Sequence, residues 1–149
     1  VSSSGKNVAP LVIEETMKSI PIISQCFLVG DGRKYCSALV TLDMGVILRD
    51  KIGIEATEIP KDPVEQNQMI IDNGKSLSDF TDSKEMHAEL SQEIDRLNLN
   101  FSNPEQIKKF SILPRDFSID EGELTPTLKI RRKQINDNWA DTIDKMYSD

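Results

Sequence analysis

The chain has 149 residues, 38% hydrophobic and 29% charged, with a formal net charge of −7. That length suffices for one compact domain or two small lobes with a modest core, and the ordinary composition excludes disordered and fibrous classes. The acidic balance disfavours non-specific binding to nucleic acid or to an anionic membrane, IKK (107–109) and KIRRK (129–133) being local basic exceptions.

The opening VSSSGKNVAP is polar, has no initiator methionine and lacks the apolar core of a signal peptide. It reads as the start of a fragment of a longer polypeptide. No apolar run approaches the ~20 residues needed to cross a bilayer, so the expected location is cytoplasmic, with any peripheral membrane contact a matter for the full-length protein.

From Pro10 to Ile20 the residues Ile13, Met17 and Ile20 recur at helical spacing, with Pro10 suited to a first turn and Pro21 stopping the helix. SQCFLVGDGRKYCSALVTLD (24–43) carries two β-rich runs about a Gly-Asp-Gly turn, the pattern of a hairpin covered on one or both faces. One or two short helices are expected over 44–74, MGVILRDKIG stopped by Gly53 and DPVEQNQMIIDNG begun by Pro63 and ended by Gly74. Met86, Leu90, Ile94 and Leu97 form the stripe of a core-facing helix. IKKFSILP (107–114) alternates as a strand, FSIDEGELTPTLK reads as a short strand pair or loop, and a last helix aligns Ile135, Trp139, Ile143 and Met146. The expected class is α+β: a small mixed sheet with a β-hairpin toward the N-terminus, flanked by helices.

Several chemistries fail on spacing. Counting a calcium loop from Asp116 puts Gly122 at the seventh position and Thr127 where a bidentate Glu is needed. GDGRK lacks the spacing and hydroxyl of a phosphate loop. His87 is the only histidine, which removes histidine-rich metal sites and leaves it a solvated helix position. No metal ligands are predicted. Cys26 and Cys36 flank the hairpin turn and could be cross-strand neighbours; without a secretory signal, two buried free thiols are the favoured reading.

GELTPTLKIRRK (122–133) is more informative. Lys129 follows a segment constrained by Pro126 and flanked by Thr125 and Thr127, so its ammonium is expected to project from a fixed loop. A cation there can neutralise charge building on a carboxylate or phosphate; the bland alternative is a solvated lysine at a helix start.

The stretch resembles the C-terminal lysine motif of the adenylate-forming superfamily, which includes AMP-forming acyl-CoA synthetases, luciferases and peptide-synthetase adenylation domains. Its usual form is Pro-x-Thr-x-Ser-Gly-Lys-x-x-Arg. Thr125, Thr127, Lys129 and Arg132 match it, whereas Glu123 replaces the Pro and Leu128 the Gly. GELTPTLK is similar to the version typical of long-chain fatty acyl-CoA synthetases. Independently, Gly5, Asn7, Val8, Pro10, Ile13 and Glu14 fit a second segment, Gly-x-Asn-Val-x-Pro-x-x-Ile-Glu, which in that family follows the hinge between a large N-terminal and a small C-terminal domain.

The resemblance implies that residues 1–149 are a mobile C-terminal domain with a helical insertion at about 44–100. It implies a two-step ligase reaction in which ATP and a fatty acid give an acyl-adenylate, from which CoA then displaces AMP. Lys129 would serve adenylation, Gly5, Lys6 and Asn7 would line the path of CoA, and Thr125, Thr127 and Arg132 would support the lysine loop. Pro10 and Glu14, with Asn7, are expected to be structural. ATP and Mg²⁺ would be bound mainly by the protein's own N-terminal domain, the chief partner, and the isolated domain would be inactive. The alternatives are an enzyme that adenylates another carboxylate, such as an aryl or polyketide acid loaded onto a carrier protein, and a non-catalytic interaction module.

Overall fold

The computed structural model describes residues 9–148; the expected CoA-path residues Gly5, Lys6 and Asn7 lie outside them. Helix α1 (Pro10–Met17) leads into β1 (Ile23–Val29), which pairs antiparallel with β2 (Cys36–Leu42) from Val29 opposite Ser37 to Ile23 opposite Leu42. Gly32 supplies a left-handed turn residue, φ 72°, in the connecting loop. β3 (Ile107–Ile112) lies parallel to β2, so the sheet order is β1-β2-β3 and the class is α+β.

A parallel pair needs a long crossover, and here it is helical. It begins with α2 (Met44–Val46), capped by Asp43, and a π-helical turn (Ile47–Ile52) ended by Gly53 at φ 94°. There follow α3 (Pro63–Asp72), capped by Asp62, α4 (Ser78–Thr81) and the 15-residue α5 (Lys84–Asn98), capped by Ser83. None of the described helices is long and apolar enough to cross a membrane.

The two hairpin strands are apolar almost throughout because both faces of the sheet are covered. Cys26, Leu28, Ala38 and Val40 point to a core shared with Ile13 and Met17 of α1 and with the α5 stripe Met86, Leu90, Ile94 and Leu97. Phe27, Val29 and Leu39 point the other way, to Leu113, Phe117, Ile135, Ile143 and Met146. The period of two in a strand sends alternate side chains to opposite sides, and the two cores hold the sheet between them.

The last predicted helix is two: α6 (Arg132–Asn138) and α7 (Ala140–Tyr147), broken at Trp139 with φ −113° and ψ 23°. At this joint Trp139 Nε1 and Asn138 Nδ2 both donate to the buried Glu123 carboxylate, at 2.8 and 3.0 Å. His87 is exposed on α5 and stacks on Phe110, with centroids 4.1 Å apart.

The two thiols are free and buried. Cys26 sits opposite Val40 while Cys36 begins β2, so they are not cross-strand neighbours. Burial and the nearby Glu14 charge push the Cys26 thiol well above its usual range, and burial raises Cys36. Because only the thiolate alkylates, iodoacetamide at mildly alkaline pH is expected to leave both cysteines unmodified in the native protein and to modify both in denaturant. Intact mass reads the difference.

Candidate functional site: the lysine hairpin

Lys129 stands on the returning arm of a small hairpin. Leu124 and Ile130 form an antiparallel bridge, and Arg131 N donates to Glu123 O at 2.8 Å. At the turn, Leu128 N donates to Thr125 O and Thr125 N to Lys129 O, each at 2.8 Å. The Thr125 hydroxyl accepts from Lys129 N at 3.0 Å and lies 3.1 Å from the Thr127 hydroxyl. Thr125 therefore grips the lysine backbone at both its N–H and its C=O. The side chain is exposed, and among the described residues no hydrogen bond or ion pair engages its ammonium.

Closing this turn requires a left-handed residue, and Leu128 takes that conformation at φ 66°. The same position is glycine in the usual form of the motif. A left-handed non-glycine residue costs roughly 1–2 kcal/mol, and glycine loses part of that gain to chain entropy. Leu128 is 67% exposed, so it sacrifices little buried area. Leu128→Gly is expected to raise stability by about 0.5–1 kcal/mol in urea denaturation. An unchanged or lower midpoint would show that the leucine contributes packing.

Two buried carboxylates clamp the hairpin at its base. Glu123, fully buried, accepts from both Arg115 Nη atoms at 2.7 and 3.0 Å and from Ser118 N at 3.1 Å, besides Trp139 and Asn138. Arg115 also lies 4.9 Å over the Trp139 ring. Burial alone would push the Glu123 carboxyl up, but its donors, Arg115 first, outweigh burial and hold it below its ordinary value. On the other side Arg132 forks onto Glu14 at 2.7 and 2.9 Å, and the same carboxylate takes the Leu28 N–H at 2.7 Å. Arg132 thus ties the segment after Lys129 to α1 and β1. Its contacts are to Glu14 and, 5.3 Å over the ring, to Phe27; no described contact joins it to Thr125 or Thr127.

Between the hairpin and α1 runs a groove of about 710 Å³, lined by Leu128, Lys129 and Arg132 on one side and by Leu11, Glu14 and Lys18 on the other. Leu11, 67% exposed, and Leu128 place apolar surface beside the ammonium. The structure thus brings together Lys129, Thr125 and Thr127 at the tip and sets Arg132, Glu14 and Pro10 behind them. Sequence reading missed the Glu123–Arg115 clamp, for which the only signal was an acidic residue where the motif has proline.

The sequence matches, over residues 1–57 and 63–149, the family described as the AMP-binding enzyme C-terminal domain. The chain belongs to this family. As an AMP-binding enzyme C-terminal domain it is 37% identical over 148 residues to the long-chain-fatty-acid–CoA ligase FadD15 of Mycobacterium tuberculosis, a match covering 99% of this chain and 22% of that protein. It is 34% identical over 153 residues to the long-chain-fatty-acid–CoA ligase ACSBG1 of Rattus norvegicus, covering 100% of this chain and 21% of that one. The chain therefore spans about a fifth of the length of these curated relatives. The A-PCP didomain of a carboxylic acid reductase from Segniliparus rugosus, solved with AMP, superposes with a TM-score of 0.65 at 18% identity, over 98% of this chain and 17% of that one. At that identity the likeness is one of fold.

Proposed function

We propose that this chain is the mobile C-terminal domain of an AMP-forming long-chain fatty acid–CoA ligase, in which Lys129 serves adenylation. The observation that carries the reading is the exposed ammonium at the tip of a hairpin whose base is held by two ion pairs with buried carboxylates. A fatty acid carboxylate oxygen attacks the α-phosphorus of ATP, an acyl–O–P bond forms, and pyrophosphate leaves with the P–O bonding electrons. Negative charge crowds the phosphoryl and carboxyl oxygens as this happens. An ammonium projecting from an anchored backbone beside them stabilises that charge. In the second step the CoA sulfur attacks the acyl carbon, loses its proton and expels AMP.

ATP and Mg²⁺ are assigned mainly to the remainder of the protein. Gly5, Lys6 and Asn7 are assigned to the CoA path, where a residue without Cβ allows close passage of a thiol arm. The groove beside Lys129, with exposed Leu11 and Leu128, is the surface that would close on the N-terminal domain.

The test is product analysis with the full-length protein, palmitate, ATP and CoA. Palmitoyl-CoA, AMP and pyrophosphate are expected in equal amounts. Turnover only with an aryl acid, or only with a carrier protein as acceptor, would contradict the assignment.

A further inference from the structure

Among the described residues, no further strand pairs with the outer edge of β3. Leu113 N donates to Val40 O at 2.8 Å, which sets the phase of the parallel ladder: Lys109 and Ser111 turn their amides and carbonyls toward β2, and Phe110 and Ile112 turn theirs outward. At the start of the strand the Asn98 side chain occupies the place of a strand partner, donating to Ile107 O at 2.9 Å and accepting from Ile107 N at 3.0 Å. Beyond it, among the described residues, no hydrogen bond reaches the outward groups of Phe110 and Ile112. This edge forms the floor of two adjoining clefts of about 310 and 440 Å³, walled by α5 on one side and α7 on the other.

Charge sets the cleft apart from the rest of the molecule. Lys84, Lys108, Lys109 and Lys145 line it against Asp82 and Asp95, a local excess of cations on a chain whose net charge is −7. Lys108 is held by the neutral oxygens of Asn103 and Gln106. For Lys109 and Lys145, no described hydrogen bond or ion pair engages the ammonium. Lysines on an open edge discourage casual strand pairing and repel basic segments. An acidic strand finds its backbone partners and its counter-charges in the same place.

We propose that the cleft along β3 is a docking site for an extended, acidic segment of a protein partner, which adds to the sheet as a fourth strand through the outward groups of Phe110 and Ile112 while its carboxylates meet Lys109 and Lys145. Strand addition draws affinity from main-chain bonds and specificity from the flanking side chains. The proposal does not depend on the ligase reading.

The probe is a short fluorescein-labelled peptide of alternating Asp and Val, followed by anisotropy with the intact protein. Binding in the range of roughly 1–100 μM is expected, as for transient contacts of small area, and a Lys/Val peptide is expected not to bind. Methylating alternate amide nitrogens of the probe removes main-chain donors without altering the protein, and should weaken binding at least about tenfold. Ile112→Pro deletes an outward N–H and leaves the β2 ladder intact, so it should weaken binding similarly with an unchanged far-UV spectrum. Equal binding of the methylated probe would overturn strand addition. Failure of the Asp/Val peptide to bind at about 1 mM, or its displacement by anionic vesicles at low lipid, would overturn the peptide site.

Discussion

Replacing Lys129 by alanine in the full-length protein is expected to slow acyl-adenylate formation by roughly 100- to 1,000-fold, the usual cost of losing one preorganised electrostatic stabiliser. The expectation follows from the geometry of the tip. Thr125 holds the lysine backbone from both sides, so the side chain starts from a fixed point and its ammonium is left free to reach a substrate. Arg132, three residues on, does not replace it, because its guanidinium is committed to Glu14. Because the side chain is exposed and makes no described contact, folding stability should change by less than about 0.5 kcal/mol. Lys129→Arg should recover only part of the rate, since a planar guanidinium distributes its charge differently from a compact ammonium. Pyrophosphate release from ATP and palmitate measures both variants.

Glu123→Ala is expected to cost about 1–3 kcal/mol, the range for leaving polar partners of a buried group unpaired, because the Arg115 side chain is 39% exposed and water can take up its charge. The loss exceeds a single contact because four donor residues converge on this carboxylate: Arg115, Ser118, Asn138 and Trp139. The half-buried Ser118 N–H and Trp139 indole would lose their acceptor, while Arg115 and Asn138 can turn to water. The same network predicts a pH dependence. The folded carboxyl titrates below its ordinary 4.5, the bonds it accepts overcoming the effect of burial. Its contribution to stability is therefore complete above the unfolded pKa and is lost as pH falls through the lower, folded one. Thermal midpoints followed from neutral pH to about pH 3 should fall in the wild type, while Glu123→Gln starts lower and loses less over that interval. Parallel curves would show that the acid sensitivity arises elsewhere.

Local patterns in the sequence carried most of the fold. Two apolar runs about a Gly-Asp-Gly turn became β1 and β2, and the stripe from Met86 to Leu97 became the inner face of α5. The motif around Lys129 was legible for a related reason: the turn is closed by neighbours in sequence, with Thr125 four residues from the lysine. What escaped was long-range or irregular. Arg132 and Glu14 are 118 residues apart, and nothing in either local stretch names the other. Glu123 and Arg115 lie eight residues apart around a loop, where no helical or strand period relates them. Trp139 fits the apolar stripe of a continuous helix, yet its indole N–H is drawn to Glu123 and the helix divides there. The four residues of α4 are too few to show a period, and although a mixed sheet is legible as a class, that β3 is the strand lying parallel to β2 depends on a crossover no local signal specifies.

The proposed division of labour places Lys129 in one half-reaction only. The measurement that tests this most directly is single-turnover thioester formation from preformed palmitoyl-adenylate and CoA, run on Lys129→Ala beside the wild type. Rates within about twofold of each other are expected for this half, against a loss of roughly 100-fold or more in adenylation. A comparable fall in both halves, or no fall in either, would contradict that division of labour.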